Sequence, residues 1–138
     1  MIDKVHKACP VVLRRRPHLE IMVFRHPLAG IQLVKGGVEV GESVAAACER
    51  ELLEESGLVA WATKSLGTLP LGEPASVWEF YQMTLEADQL PERWSFDTED
   101  GGGLRFDFFW HRLDQPESAD WHSMFSAALA HIRERVSQ

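Results

Sequence analysis

The sequence is short of positive charge, has only two cysteines and contains no long apolar run, and each shortage narrows what the chain can be. With 14 Lys and Arg against 21 Asp and Glu, the formal net charge is -7. A surface of that sign repels nucleic-acid backbones and anionic membranes, so neither a nucleic-acid polymer nor a membrane is expected as partner. An anionic ligand needs local help from arginine, lysine or a metal ion. The apolar stretches run for only a few residues, far below the ~20 that span a bilayer, and the N-terminus has no apolar signal-peptide core. The expected location is cytoplasmic. Cys9 and Cys48 are too few for a disulfide framework and read as small buried hydrophobes in a reducing compartment.

Also missing are internal repeats and any Pro-, Ser- or Gly-rich linker, so the 138 residues are expected to form one domain, 1–138. A chain of this length buries roughly two thirds of the surface that it exposes when unfolded.

Residues 8–14 carry strand composition, with Pro10 suggesting an edge because proline cannot donate a ladder hydrogen bond. In residues 19–25 the two-residue period puts Leu19, Ile21 and Val23 on one face, and the Arg16-Pro17-His18 turn before them predicts a hairpin. A short strand at 30–34 leads into a glycine-containing loop, Lys35 to Glu42. Ser43 is a good N-cap, Val44 to Ser56 holds no proline or glycine, and Gly57 supplies a left-handed stop, which together predict a helix over 44–56. Strand composition returns at 61–70, 76–86 and 104–113. In the last of these, Phe106, Phe108 and Trp110 share one face, and Arg105, Asp107, Phe109 and His111 share the other. An amphipathic helix opened by Asp114 and Pro116 is expected to close the chain, with Trp121, Phe125, Ala128, Leu129, Ile132 and Val136 on its apolar stripe. This order of elements predicts an α/β (α+β) fold in which a mixed sheet lies between helices.

The chemistry concentrates on the first helix. Glu51, Glu54 and Glu55 stand at i, i+3 and i+4, so their carboxylates project from one face within a single turn. Like charges at that spacing repel by ~0.2–0.5 kcal/mol per pair on an exposed helix, a conflict that a divalent cation removes. Mg²⁺ and Mn²⁺ prefer oxygen ligands and are commonly held by carboxylates together with substrate phosphates. A bare E-x-x-E-E is ordinarily just a solvated acidic face. Here its flanks are specified too: Gly36, five residues, Glu42, seven residues, Arg50-Glu51-Leu52, one residue, Glu54-Glu55, one residue, Gly57-Leu58. This pattern resembles the complete Nudix box.

The resemblance implies a Nudix-type α/β/α sandwich and a pyrophosphohydrolase that cleaves a nucleoside diphosphate linked to another group by water attack on phosphorus. It implies Mg²⁺ or Mn²⁺ as cofactor, ligated by Glu51, Glu54, Glu55 and the backbone carbonyl of Gly36, with Arg50 orienting Glu51 and Glu42 in support. Glu51 is the first choice for general base. A later acidic residue is an alternative, with Asp97, Glu99, Asp100 and Asp107 as candidates. The rival reading is a catalytically silent Nudix-fold module that binds a nucleotide for regulation, although such modules usually carry a degraded box.

The substrate is encoded weakly. Lys35 and Arg25 are candidates for phosphate contacts, while the run Arg14, Arg15 and Arg16 reads more simply as a solvated turn. Trp110 is a candidate to stack on a base, among Trp78, Phe80, Tyr81 and Trp94, most of which read as core. Pro74 resembles the pattern of ADP-ribose pyrophosphatases, whereas Lys35-Gly36-Gly37-Val38-Glu39 is similar to enzymes acting on dinucleoside polyphosphates or capped RNA ends. A domain of this size also suits nucleoside triphosphate hydrolysis. A small nucleotide is thus the expected partner, and monomer and homodimer both stay open.

Overall fold

A computed structural model describes residues 4–99 and 102–136. In chain order the elements are β1 (Lys7–Val11), β2 (Leu13–Arg15), β3 (Leu19–His26), β4 (Gly30–Gln32), β5 (Gly36–Gly37), α1 (Val44–Ser56), β6 (Ala60–Leu71), β7 (Ser76–Leu85), β8 (Trp94–Thr98), β9 (Leu104–Arg112) and α2 (Phe125–Val136).

The strands form two sheets where one was expected. The first is mixed, ordered β5-β1-β7-β6, with β1 and β7 parallel. The second is antiparallel, ordered β2-β3-β9-β8, and β4 also pairs with β3. The segment read as one strand over 8–14 is split at Val12, where the chain leaves one sheet for the other. β1 is an inner strand, yet its pairing with β5 stops at Ala8, so beyond that point β7 is its only neighbour in the sheet. Pro10 is therefore placed where the ladder has one side.

The helices cover opposite faces of these sheets. Ala47, Cys48 and Leu52 of α1 pack with Ala8, Val12, Met22, Phe24, Phe106 and Phe108. Phe125, Ala128, Leu129 and Ile132 of α2 pack with Cys9, Val11, Ile21, Val23, Trp78 and Phe80. Alternate residues of β1 and β3 thus enter different cores, which explains why both faces of β3 are apolar. The result is an α/β/α sandwich. Among the described residues, no helix is long and apolar enough to cross a membrane.

Two elements differ from expectation. β8 carries two aromatic residues, with Trp94 stacked on Phe108 at 5.1 Å, and it extends the antiparallel sheet past β9. The last helix starts at Phe125, well after Asp114. Asp114 instead takes a forked ion pair from Arg112, and Ile31 N–H donates to Asp120 O while Ile31 O accepts from His122 N–H. These bonds hold residues 120–122 extended along β4, so Trp121 joins the core from a bridge and not from a helix.

α1 has the predicted bounds because both ends are capped. The Ser43 hydroxyl accepts from Ala46 N–H at 3.1 Å, and Gly57, at φ +78°, donates to Leu53 O. A Cβ on Gly57 would also stand 2.7 Å from the Phe96 ring. Gly57→Ala is therefore expected to lower the unfolding free energy in urea by about 1–2 kcal/mol, the cost of a left-handed non-glycine residue, with the Phe96 contact adding to it. An unchanged midpoint would mean that the helix stop tolerates a side chain.

Candidate active site

The buried stripe of α1 includes two carboxylates. Ala47, Cys48, Glu51, Leu52, Glu55 and Ser56 all face inward, with Glu51 8% and Glu55 7% exposed. Glu54, one step around the helix, is half-exposed. The helical period alone produces this division, since residues 51 and 55 are a turn apart and 54 is displaced from both.

Arg50 ties these groups together. Its Nε and Nη2 donate to the two Glu42 carboxylate oxygens at 2.8 and 2.9 Å. Nη1 donates to Oε1 of Glu51 at 2.8 Å and of Glu54 at 3.1 Å, and Nη2 also reaches Gly37 O at 2.9 Å. One planar guanidinium thus fixes the helix to the Gly36–Glu42 loop, using a fork that lysine does not have. These bonds raise the Arg50 pKa, with the Glu42 hydrogen bonds the largest cause.

Across from the helix, Gly36 presses against Glu51. A Cβ at position 36 would overlap the carboxylate carbon and both of its oxygens, so only glycine lets the loop backbone touch this side chain. Glu51, Glu55, Gly36 and Gly37 form one wall of a hollow of about 440 Å³ that also involves Lys35, His26 and Gln32. Its floor is aromatic, with Phe24 and Phe106 stacked at 4.3 Å. His26 leans on Phe106 and accepts Leu28 N–H at Nδ1, which leaves the proton of the neutral ring on Nε2. Burial, then the Lys35 charge, lowers the His26 pKa.

The carboxylates are hard oxygen donors, and the absent side chain at Gly36 leaves the loop backbone against Glu51, a donor chemistry that fits a hard divalent cation such as Mg²⁺ or Mn²⁺. Among the described residues no three acidic, His or Cys side chains already converge as a metal cage.

The NUDIX domain family model matches residues 4–129. The chain belongs to the Nudix family. With that it joins a family of pyrophosphohydrolases. No curated protein is a significant match to the sequence. Solved structures share the fold at low identity. An ADP-ribose pyrophosphatase from Streptococcus suis 89-1591 is 16% identical with a TM-score of 0.63, the alignment covering 96% of this chain and 92% of that one. A MutT NUDIX hydrolase from Burkholderia pseudomallei is 17% identical with a TM-score of 0.67, covering 97% and 99%. A UDP-X diphosphatase is 15% identical with a TM-score of 0.65, covering 96% of this Nudix chain but only 64% of the other protein.

The Nudix fold brings together Gly36, Glu42, Arg50, Glu51, Glu54, Glu55 and Lys35, and sets other candidates apart. Arg25 lies on the opposite face of β3 from Phe24, beside Asp107 in register and 3.6 Å from the Asp120 carboxylate. Asp107 accepts from the Ser95 hydroxyl in the same outer hollow. Trp110 is covered by the Arg14 guanidinium, 4.2 Å from the ring centroid, and donates to Pro91 O, two same-face positions along β9 from Phe106. Asp97 and Glu99 share a smaller hollow with Glu54, whereas Asp100 lies outside the described residues. The sequence reading missed His26, Gln32 and the Phe24–Phe106 floor. The parity of β3 puts Phe24 and His26 on one face, but which face meets α1 is decided by packing between distant elements.

Glu42 makes the Arg50 cluster testable. Its carboxyl is held at about 2 against an ordinary 4.5, first by the Arg50 hydrogen bonds and then by the Glu39 amide. A lowered carboxyl pKa adds stability above the unfolded-state value, and that contribution drains away as pH falls through the window from 4.5 to about 2. The Tm difference between wild type and Glu42→Gln should therefore be greatest near neutrality and shrink as the solution is acidified into that window. A difference independent of pH would contradict the pairing.

Proposed function

We propose that the chain is a Mg²⁺- or Mn²⁺-dependent hydrolase that splits a nucleoside diphosphate linkage in a small nucleotide by attack of water on phosphorus. The observation that carries this reading is the contact between the Glu51 carboxylate and the side-chain-free Gly36 backbone, with Glu55 beside it and Arg50 clamping Glu51 from the other side.

Glu51, Glu54, Glu55 and the Gly36 carbonyl would hold the cation. When bound, it supplies neutralisation of phosphate oxygens and acidification of water, which lets a carboxylate-rich wall accept a polyanion. Arg50 fixes the rotamers of Glu51 and Glu54, so neither pays the full ordering entropy when substrate arrives. Arg50 donates to Glu51 Oε1 and so fixes the orientation of the carboxylate that is the first choice for proton acceptor from water. Lys35 offers a point charge to the phosphate chain on the side of the hollow away from the helix, and the Phe24–Phe106 floor offers apolar area to the rest of the ligand.

The substrate group stands among ADP-ribose, dinucleoside polyphosphates and nucleoside triphosphates, and the fold neighbours include an ADP-ribose pyrophosphatase, a UDP-X diphosphatase and a MutT NUDIX hydrolase. A panel of these compounds, assayed for products with Mg²⁺ or Mn²⁺, tests the proposal. Cleavage within one pyrophosphate is expected, with kcat lowered roughly hundredfold or more in Glu54→Gln. Tight nucleotide binding without turnover at any metal concentration, and wild-type behaviour of Glu54→Gln, would instead point to a nucleotide-binding regulatory module.

A further inference from the structure

The α2 face of the sandwich carries a further hollow of about 340 Å³, lined by none of the α1 glutamates and opposite in character. Four cations, Arg14, Arg15, Lys64 and Arg135, line it together with Gln82 and an apolar side that includes Leu13, Leu19 and Val136. No carboxylate is among the described residues that line it. Arg15, Lys64 and Arg135 also make no ion pair with any described residue, in a chain where Asp and Glu outnumber Lys and Arg by 21 to 14. Other cations behave otherwise: within the hollow Arg14 is bound by Glu20 and Glu92, and nearby Arg16 pairs with Glu92 and Arg133 with Glu117. The outer hollow at Arg25 likewise contains Asp107.

The backbone is shaped around these cations. β6 has irregularities in its register between Ala62 and Lys64 and again between Ser65 and Thr68, and such bulges turn a side chain away from its regular direction. Gly67 sits inside the second irregularity at φ +90°, and a Cβ there would stand 2.8 Å from Arg135 Nη1, so the guanidinium lies over a residue that leaves it room. Gln82 is opposite Lys64 on β7 and adds an amide.

From this arrangement the geometry points to a second, metal-independent binding site for a phosphate-bearing anion, held by Arg15, Lys64 and Arg135 on the α2 face. Three cations that have no ion pair among the described residues, set around one hollow, are what a multiply charged phosphate needs, and the apolar side from Leu13 to Val136 leaves room for a nucleoside. The site is independent of the hydrolytic reading and survives or fails without it.

The test is calorimetric titration of the full chain with inorganic tripolyphosphate and, separately, with ATP, in EDTA so that no metal bridges the ligand to the glutamates. Saturable binding is expected, weakened about tenfold or more by Lys64→Gln and by Arg15→Gln, and unchanged by Arg25→Gln. Arg135→Gln should act likewise. Lys64 and Arg15 are exposed, so their variants test the site even where loss of Arg135 disturbs α2. Equal affinity for the two ligands would place phosphate alone in the hollow, and tighter ATP would add a nucleoside against Leu13 and Val136, both upholding the site. Absence of saturable binding, or affinity that survives Lys64→Gln and Arg15→Gln, would overturn it.

Discussion

The Arg50 guanidinium is the interaction on which the rest of this site depends. It sits between the Gly36–Glu42 loop and α1 and bonds to Glu42, Glu51, Glu54 and Gly37 O at once. Remove it, and carboxylates on adjacent turns face one another beside a half-buried loop. Such a cluster is conditional: each partner is tolerable only because the others are present, and breaking one half of a buried pair costs about 3–5 kcal/mol in fully enclosed cases. The exposure of Arg50 and Glu54 places this site well below that limit. The benefit of the cluster is orientation, since it presents Glu51 to Gly36 in one rotamer.

The surrounding fold explains why a charged stripe is tolerated on an inward helix face. α1 covers only part of the sheets, and its Leu52 and Cys48 fill the core while Glu51 and Glu55 meet the hollow over Phe24 and Phe106. The hollow is thus where the apolar layer ends. The two sheets sharpen the division between the faces of the molecule. Alternate residues of β3 serve different cores, so a shift of one position along the strand carries a side chain from the glutamate side to the other.

Much of this was legible in the residues. The bounds of α1 follow from Ser43 and Gly57, local signals that need no tertiary context. The spacing of Gly36, Glu42, Arg50 and the three glutamates identified the family that the domain match establishes. What escaped were features decided by distant contacts. The start of α2 is displaced because Asp120 and His122 bond to Ile31, almost ninety residues earlier in the chain. β8 is short and follows Pro91, and it is a strand because β9 offers an edge. Arg25 looked suited to phosphate by charge alone, but its side depends on which face of β3 the first helix covers, and strand periodicity is silent on that choice. The same limit hid His26 and Gln32.

The central claim is that the inward carboxylates of α1 exist to hold a divalent cation against the Gly36 loop. Electron paramagnetic resonance of Mn²⁺ tests this without reference to any substrate. Titrated into the wild-type chain, the free Mn²⁺ signal should be depleted until the site saturates, and a Glu51→Gln, Glu55→Gln double variant that retains its fold should leave that signal intact. Equal depletion by the two proteins, or none by either, would contradict the account.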